Sequence, residues 1–215
     1  MNDLLNLAIK AHGGLERWRQ VRSLQARVTL NGTLWRIKGR PNGLPGVLMR
    51  ADTREPALTI TPFPSPGSVG HFAPDRVWIA GENNKLRGTN SRNSTCWLRI
   101  LELLHDSWLS LALKSKRLNL IRRMVKPGDR SVFPPEIPTH SAQQTFYFND
   151  KGLLQRHDYA TDVAGGVASH YCFDHVTFDD IVVPTFRRVV KRRTDGPFIH
   201  GPTAVLIVIS DVSLS

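Results

Sequence analysis

The hydrophobic residues at the start of the chain recur with helical spacing. These apolar positions are Leu4, Ala8, Ala11, Leu15 and Trp18. Their intervals of three and four residues place them on one helix face. Because Gly13 and Gly14 interrupt the pattern, we expect one helix to end at His12, with Gly13 in a left-handed conformation, and a second to begin at Leu15.

From Leu24 the apolar residues alternate with polar ones, a period typical of a half-buried strand. Asn31-Gly32 predicts a tight turn, and residues 33–38 are expected to form the second strand of a hairpin. Further strands are predicted at residues 46–50, 57–61 and 76–80. Connectors rich in proline and glycine separate them.

The C-terminal part of the chain continues in the same style. Strands are predicted at residues 144–148, 153–159, 168–176, 181–191 and 204–209. Pro184 is expected at the start of a strand or at a sheet edge, where its missing N–H costs least. The pattern predicts an α+β protein with one long meandering antiparallel sheet and N-terminal helices covering one face.

The central part of the chain differs from its surroundings. Residues 96–125 are rich in leucine and helix-prone, and residues 85–130 carry 11 basic and 3 acidic side chains, net +8. Most of the total net charge of +11 therefore belongs to one stretch. We divide a single domain, residues 1–215, into helices (1–22), first strands (24–80), this basic, helix-prone segment (81–131) and C-terminal strands (139–215).

The N-terminal residues and the two cysteines bear on the location of the protein. The first residues lack a basic start, a continuous apolar core and a small-residue cleavage site, and no apolar run reaches the length of a bilayer span. Cys96 and Cys172 are the only cysteines, and their rarity fits a reducing compartment. The expectation is a cytoplasmic protein.

Four stretches resemble a known group of proteins. They are AHGGLERWRQVRSLQARV (11–28), TLWRIKGRP (33–41), TPFPSPG (61–67) and the run from THSAQQTFYF to RRVVKRR (139–193). Together they resemble a poorly characterised bacterial family with the outer-membrane lipoprotein carrier (LolA-like) fold. The resemblance covers about two-thirds of the chain. The segment 81–131 departs from that family, which a diverged insertion or a disturbed reading frame would explain.

The resemblance implies a strongly curved antiparallel sheet, an incomplete barrel, with helices over its concave face. It also implies an apolar cavity that holds a lipid or another hydrophobic molecule without catalysis or a cofactor, although the same side chains could simply form the core. The residues expected to line the cavity are Trp18, Val28, Leu30, Trp35, Leu48, Ile60, Trp78, Phe146, Phe148, Tyr171 and Phe173.

The stretch HYCFDH (170–175) concentrates potential metal ligands. On a strand it divides into one face with His170, Cys172 and Asp174 and another with Tyr171, Phe173 and His175. An ion could be held only if neighbouring residues completed the site, namely His157 and Asp158 on the preceding strand or Asp162 in the loop. We therefore assign no metal site, and a metal-dependent enzyme using His157, His170 and Cys172 is an alternative.

Two basic stretches suggest other partners. Residues 187–193 are divided by strand alternation and are expected at a solvated edge or convex face. Residues 114–126 could form an amphipathic helix on an anionic membrane. Binding of nucleic acid or an anionic surface through residues 85–130 is the second alternative, with nucleic acid disfavoured because no recognition motif is present. No catalytic motif of the common hydrolase, nucleotide-binding or metalloprotease types occurs, so no catalytic residue is assigned.

Overall fold

The computed structural model describes residues 3–37, 39–55, 57–73, 76–81, 86–90, 130–132, 141, 143–160, 166–192 and 202–215. Three helices are present in these residues: α1 (Asp3–Ala11), α2 (Gly14–Gln20) and α3 (Thr33–Ile37). The strands of the N-terminal half are β1 (Ser23–Asn31), β2 (Leu44–Asp52), β3 (Leu58–Thr61), β4 (Val69–Phe72), β5 (Val77–Ala80) and β6 (Leu86–Asn90). Those of the C-terminal half are β7 (Arg130–Val132), β8 (Gln143–Phe148), β9 (Leu154–Ala160), β10 (Val167–Phe178), β11 (Ile181–Arg192) and β12 (Val205–Leu214).

All of these strands belong to one antiparallel sheet of 12 strands, ordered β6-β5-β4-β3-β2-β1-β12-β11-β10-β9-β8-β7. Each strand pairs with its sequence neighbour except at the centre, where the first strand pairs with the last and Val28 lies opposite Ile209. The edge strands β6 and β7 are not paired with each other in the described residues, so the sheet remains open. The predicted meandering sheet is confirmed.

Alternation along β1 separates the two faces of the sheet. Ala26, Val28 and Leu30 are fully buried, whereas Arg27 and Thr29 between them are exposed. We call the face that carries Ala26, Val28 and Leu30 the inner face and the opposite one the outer face. The main core lies on the inner face and comprises Trp18, Val21, Leu24, Ala26, Val28, Leu30, Trp35, Leu44, Val47, Met49, Ala51, Leu58, Ile60, Phe63, Phe72, Val77, Ile181, Val183, Ile207 and Ile209.

The elbow between α1 and α2 follows the prediction from the two glycines. Gly13 has φ 103°, a left-handed conformation that only glycine adopts readily. The elbow also lies against the β10–β11 turn, because a Cβ at Gly13 would overlap the Asp180 carbonyl oxygen and come within 2.8 Å of Ile181 Cδ1. The helices are therefore seated on the inner side of the sheet, as expected.

The predicted strand at residues 33–38 is wrong. Residues Thr33–Ile37 form α3, and Lys38 lies outside the described residues. The N–H groups of Thr33 and Leu34 donate to carbonyls of Thr203 and Ala204, and Trp35 is buried to 1% exposure in the main core. Burying this large indole under the sheet outweighs the weak strand preference of so short a segment. The partner of β1 is β2 instead.

Two smaller points concern the strands. The strand β4 was not predicted, since it is only four residues long and includes Gly70.

Pro184 lies within β11, opposite His175 of β10. In the described residues β12 pairs with β11 only from Phe186 to Val189. Pro184 therefore lies within a mid-sheet strand rather than at a strand start or on an edge strand, and the side without a β12 partner accommodates its missing N–H.

Most of the basic segment 81–131 lies outside the described residues. Its described parts are Gly81, β6 and the first residues of β7. The helix predicted over residues 96–125, the amphipathic stretch 114–126 and Cys96 all fall outside them. Within the described residues, no helix combines the length and apolar character that crossing a membrane requires.

Candidate functional site

Five of the predicted ligand-binding residues come together in the main core. They are Trp18, Val28, Leu30, Trp35 and Ile60. Trp18 reaches this cluster from α2, and its Nε1–H donates to the backbone oxygen of His12 at 2.8 Å. Exposures of 0–6% show that these five side chains are in contact with one another and their neighbours rather than with solvent. Through Trp18, α2 packs against the other four of these residues in the main core.

A second apolar region lies on the inner face of the C-terminal half, beneath α1. Phe146, Leu154 and Cys172 are buried together, with Phe148 packed against them. Phe148 also packs against Leu5 of α1, which Ile9 contacts as well. The predicted residue Phe148 thus lies between the sheet and α1, and Phe146 lies beside it in a cluster separate from the main core.

The remaining predicted residues lie on the outer face. Leu48 of β2 lies opposite Arg27 of β1 and Thr61 of β3, and its side chain is on the outer face. Trp78 stacks on His71, with ring centroids 4.7 Å apart, and the Arg76 guanidinium lies 4.5 Å from the Trp78 ring. Burial lowers the pKa of His71. Leu48 and Trp78 do not share a surface with the main core.

Tyr171 and Phe173 also belong to the outer face. Their rings stack at 6.2 Å, and Phe173 is 42% exposed. Arg156 lies over Tyr171 at 5.8 Å and forms an ion pair with Asp158 at 3.1 Å. This side of HYCFDH therefore faces away from the helices.

The predicted division of HYCFDH holds for its first four residues and fails for the last two. His170 and Cys172 are buried on the inner face, opposite Tyr171 and Phe173. Asp174 has φ 50°, which interrupts the strand alternation. His175 consequently lies on the inner side, where its ring makes an edge contact with the ring of His12. Asp174 is exposed rather than grouped with His170 and Cys172.

His157 does cross the hairpin to meet His170. The two residues are paired in register, and their ring centroids lie 4.6 Å apart. Phe146 stacks on the other side of His157 at 5.5 Å, and Gln144 Oε1 lies 3.3 Å from His157 Nδ1. In the part of the chain that the structure describes, no three histidine, cysteine or acidic side chains are placed to hold one ion. For the alternative of a metal enzyme, the described residues therefore provide two adjacent imidazoles and no third ligand.

The basic stretch 187–193 is not uniformly solvated, which corrects the prediction. Arg187 is only 2% exposed on the inner face, and its Nε donates to the Pro184 carbonyl at 3.1 Å. Desolvation lowers the pKa of this guanidinium. Arg188 is half-buried and donates to Thr203 Oγ1 at 2.7 Å, while Lys191 is exposed. The pairing of β11 in mid-sheet, which periodicity alone could not reveal, places Arg187 in the interior.

Sequence reasoning also missed His12. Its Nδ1 lies 2.8 Å from the Ala8 carbonyl, and its Nε2 lies 3.4 Å from the Leu154 amide nitrogen. His175 Nε2 lies 3.0 Å from the carbonyl oxygen of the same Leu154. Two histidines that are 163 positions apart along the chain thus bind one residue at the start of β9. The only signal available in the sequence was a histidine just before a helix break.

Comparisons with known proteins identify the fold. The sequence matches no family model and no curated protein. Among solved structures, it is similar to a DUF1329 family protein from Desulfovibrio piger and to a LolA superfamily protein from Nitrosomonas europaea. Both have 11% identity and a TM-score of 0.53 over 99% of this chain and 92% of theirs. A domain described as outer membrane lipoprotein-sorting, from Vibrio parahaemolyticus, has 10% identity and a TM-score of 0.51 over 99% and 91%. The predicted LolA-like fold is confirmed.

The predicted cytoplasmic location is wrong. It relied on the first residues of the chain, which say nothing about the fold. The neighbours described as a LolA superfamily protein and an outer membrane lipoprotein-sorting domain point away from the cytoplasm.

Proposed function

We propose that this LolA-like chain binds a hydrophobic ligand of the lipid class between the inner face of its sheet and α1. Binding would occur by burial of hydrocarbon, without covalent chemistry. The similarity to an outer membrane lipoprotein-sorting domain supports the ligand class. The observation that carries the proposal is the separate apolar cluster in which Phe148 of the sheet packs against Leu5 of α1, with Ile9 beside Leu5.

The arrangement of the helices supports a cover that can open. None of the buried members of the main core comes from α1, whereas α2 contributes Trp18. Lifting α1 would therefore expose Phe148, Phe146 and Leu154 while leaving the main core intact. Burial of a leucine such as Leu5 contributes about 1.5–3 kcal/mol. Losing this contact costs much less free energy than unfolding the sheet.

An acyl chain could replace the apolar contacts that the sheet loses when α1 lifts. Each methylene taken out of water contributes about 0.8 kcal/mol. Four methylenes against Phe146 and Phe148 would thus offset the loss of the Leu5 contact. The predicted residues Trp18, Val28, Leu30, Trp35 and Ile60 belong to the separate main core and would keep the sheet folded while α1 moves. Because Leu48, Trp78, Tyr171 and Phe173 lie on the outer face, the proposal does not include them.

Native mass spectrometry of the purified protein tests the proposal directly. We expect a fraction with an added mass that organic extraction removes and that is identified as lipid. A stoichiometric metal would instead favour the enzyme alternative at His157 and His170. Failure to find lipid, together with failure of the extracted protein to bind an apolar probe, would contradict the proposal.

A pair of phenylalanine variants locates the site. The extracted protein is titrated with the neutral fluorophore N-phenyl-1-naphthylamine. Phe148→Ala removes apolar surface beneath α1 and should raise the dissociation constant of the probe about tenfold or more. Phe173→Ala, on the exposed outer face, is the matched control and should bind as the unmodified protein does. Equal affinities of the two variants would place any binding elsewhere.

A further inference from the structure

Two imidazoles take part in the junction between the helices and the C-terminal half of the sheet. The Nδ1 of His12 donates to the Ala8 carbonyl at 2.8 Å, and this leaves Nε2 as the acceptor for the Leu154 N–H. His175 donates from Nε2 to the Leu154 carbonyl at 3.0 Å. The two rings meet edge to face with centroids 6.3 Å apart. Both polar groups of the Leu154 backbone are thus used by side chains, one from the helix elbow and one from β10.

We propose that His12, His175 and the Leu154 backbone form an acid-sensitive latch that holds α1 closed over the inner face. The latch requires a neutral His12. Protonation would place an N–H on Nε2, facing the N–H of Leu154, so that two donors meet and the contact is lost. The role of this opening in ligand entry or release rests on the proposed function, whereas the latch itself does not.

The latch controls α1 because several contacts converge on His12. Its backbone oxygen accepts from Trp18 Nε1 of α2, and the Ala8 carbonyl lies one turn back in α1. The loop before Leu154 is in contact with α1 as well, since a Cβ at Gly152 would lie 2.8 Å from the Leu7 backbone. Loss of the Leu154 contact therefore frees the end of α1 that faces the β8–β9 hairpin.

The groups around His175 favour its neutral form. Burial lowers the pKa of His175, and Arg187 of β11 acts in the same direction. The hydrogen bond to the Leu154 carbonyl and the Asp174 carboxylate oppose this shift and are outweighed. On the helices, Lys10 is exposed and Arg17 donates to the Asp179 carbonyl, while the charged pair of β9 lies on the outer face.

Hydrogen exchange followed by mass spectrometry, without ligand, tests the latch. Exchange is compared at about pH 8 and about pH 5.5, on either side of the ordinary histidine pKa, after correction for intrinsic rates. We expect acidification to speed exchange in peptides containing α1 and Leu154 by about five- to a hundredfold. Peptides from β1 and β12 should keep their protection. Unchanged protection of α1 at both pH values would overturn the proposal.

Substitutions separate the latch from a general effect of acid. His12→Gln places a non-titrating acceptor near the position of Nε2, so α1 should stay equally protected at both pH values. His71→Gln is the matched control, because His71 is also partly buried but lies on β4 at the outer face. It should retain the acid response of the unmodified protein. If His12→Gln does not fold, His175→Gln provides the second test and should weaken the response.

Probe binding distinguishes failure of the latch from failure of the proposed function. If α1 opens in acid and the neutral fluorophore binds at neither pH, the latch stands and lipid binding fails. If the fluorophore binds and α1 is equally protected at both pH values, lipid binding stands and the latch fails. Faster binding of the fluorophore in acid, abolished by His12→Gln and retained by His71→Gln, would support both.

Discussion

Replacement of Gly13 by alanine tests how the helices are seated on the sheet. The left-handed backbone at Gly13, φ 103°, would cost an alanine about 1–2 kcal/mol. In addition, the new Cβ would overlap the Asp180 carbonyl oxygen and lie 2.8 Å from Ile181 Cδ1. The carbonyl belongs to a tight turn and cannot rotate away, so a displacement costing about 1–3 kcal/mol is added. We expect a total loss of about 2–5 kcal/mol.

Gly14→Ala is the matched control for this prediction. Gly14 also has a positive φ, 77°, but a Cβ there meets nothing within 4 Å. Only the conformational cost of about 1–2 kcal/mol should appear. Urea unfolding followed by circular dichroism gives both free energies, with unchanged m-values as the check that the variants unfold as the unmodified protein does. Equal losses for Gly13→Ala and Gly14→Ala would refute the packing of the elbow against the β10–β11 turn.

Three further predictions concern the core, the pH dependence and the buried thiol. Leu30→Ala, in the main core, should lose about 2–5 kcal/mol of unfolding free energy, whereas Leu48→Ala on the outer face should lose clearly less; similar urea midpoints for the two would contradict the assignment of faces. Burial lowers the pKa of His175 below its ordinary value of 6.5, so the unfolded chain takes up a proton at higher pH than the folded one. The contribution of neutral His175 to the free energy of unfolding should therefore be fully present above about pH 6.5, decrease as the pH drops towards the lower folded pKa and then level off. The urea midpoint of His175→Gln should fall less steeply over the same pH range. In a Cys96→Ser variant, the buried Cys172 should react with a thiol reagent only in denaturant; rapid reaction of the folded protein would show that the thiol is accessible.

The sequence predicted the helix elbow and most of the strands because their signals are local. Gly13 ends α1 as expected, since a left-handed residue at that point needs no information from the rest of the chain. The alternation of β1 likewise identifies its buried side chains without any knowledge of the partner strands. The segment around Trp35 was misjudged because the burial of a single indole decides its conformation, and that burial depends on residues far along the chain.

The candidate site could be predicted only in part. Phe146 and Phe148 were named from their apolar character, and the structure adds that they lie beneath α1. Leu48 and Trp78 were named on the same grounds and lie on the outer face, because hydrophobicity does not tell which face of a strand is covered. Arg187 was expected in solvent, since its position in mid-sheet follows from strand order rather than from composition.

By itself, the sequence determined the helix break, the strand periodicity and the resemblance to a LolA-like fold, since each depends on neighbouring residues or on short motifs. The tertiary structure alone decided which residues meet. Pairing of β1 with β12 joins the N-terminal and C-terminal halves of the sheet. Strand register brings His157 to His170. The docking of α1 brings His12 to His175 across Leu154. Such long-range contacts follow from the register and packing of whole elements, which no local pattern encodes.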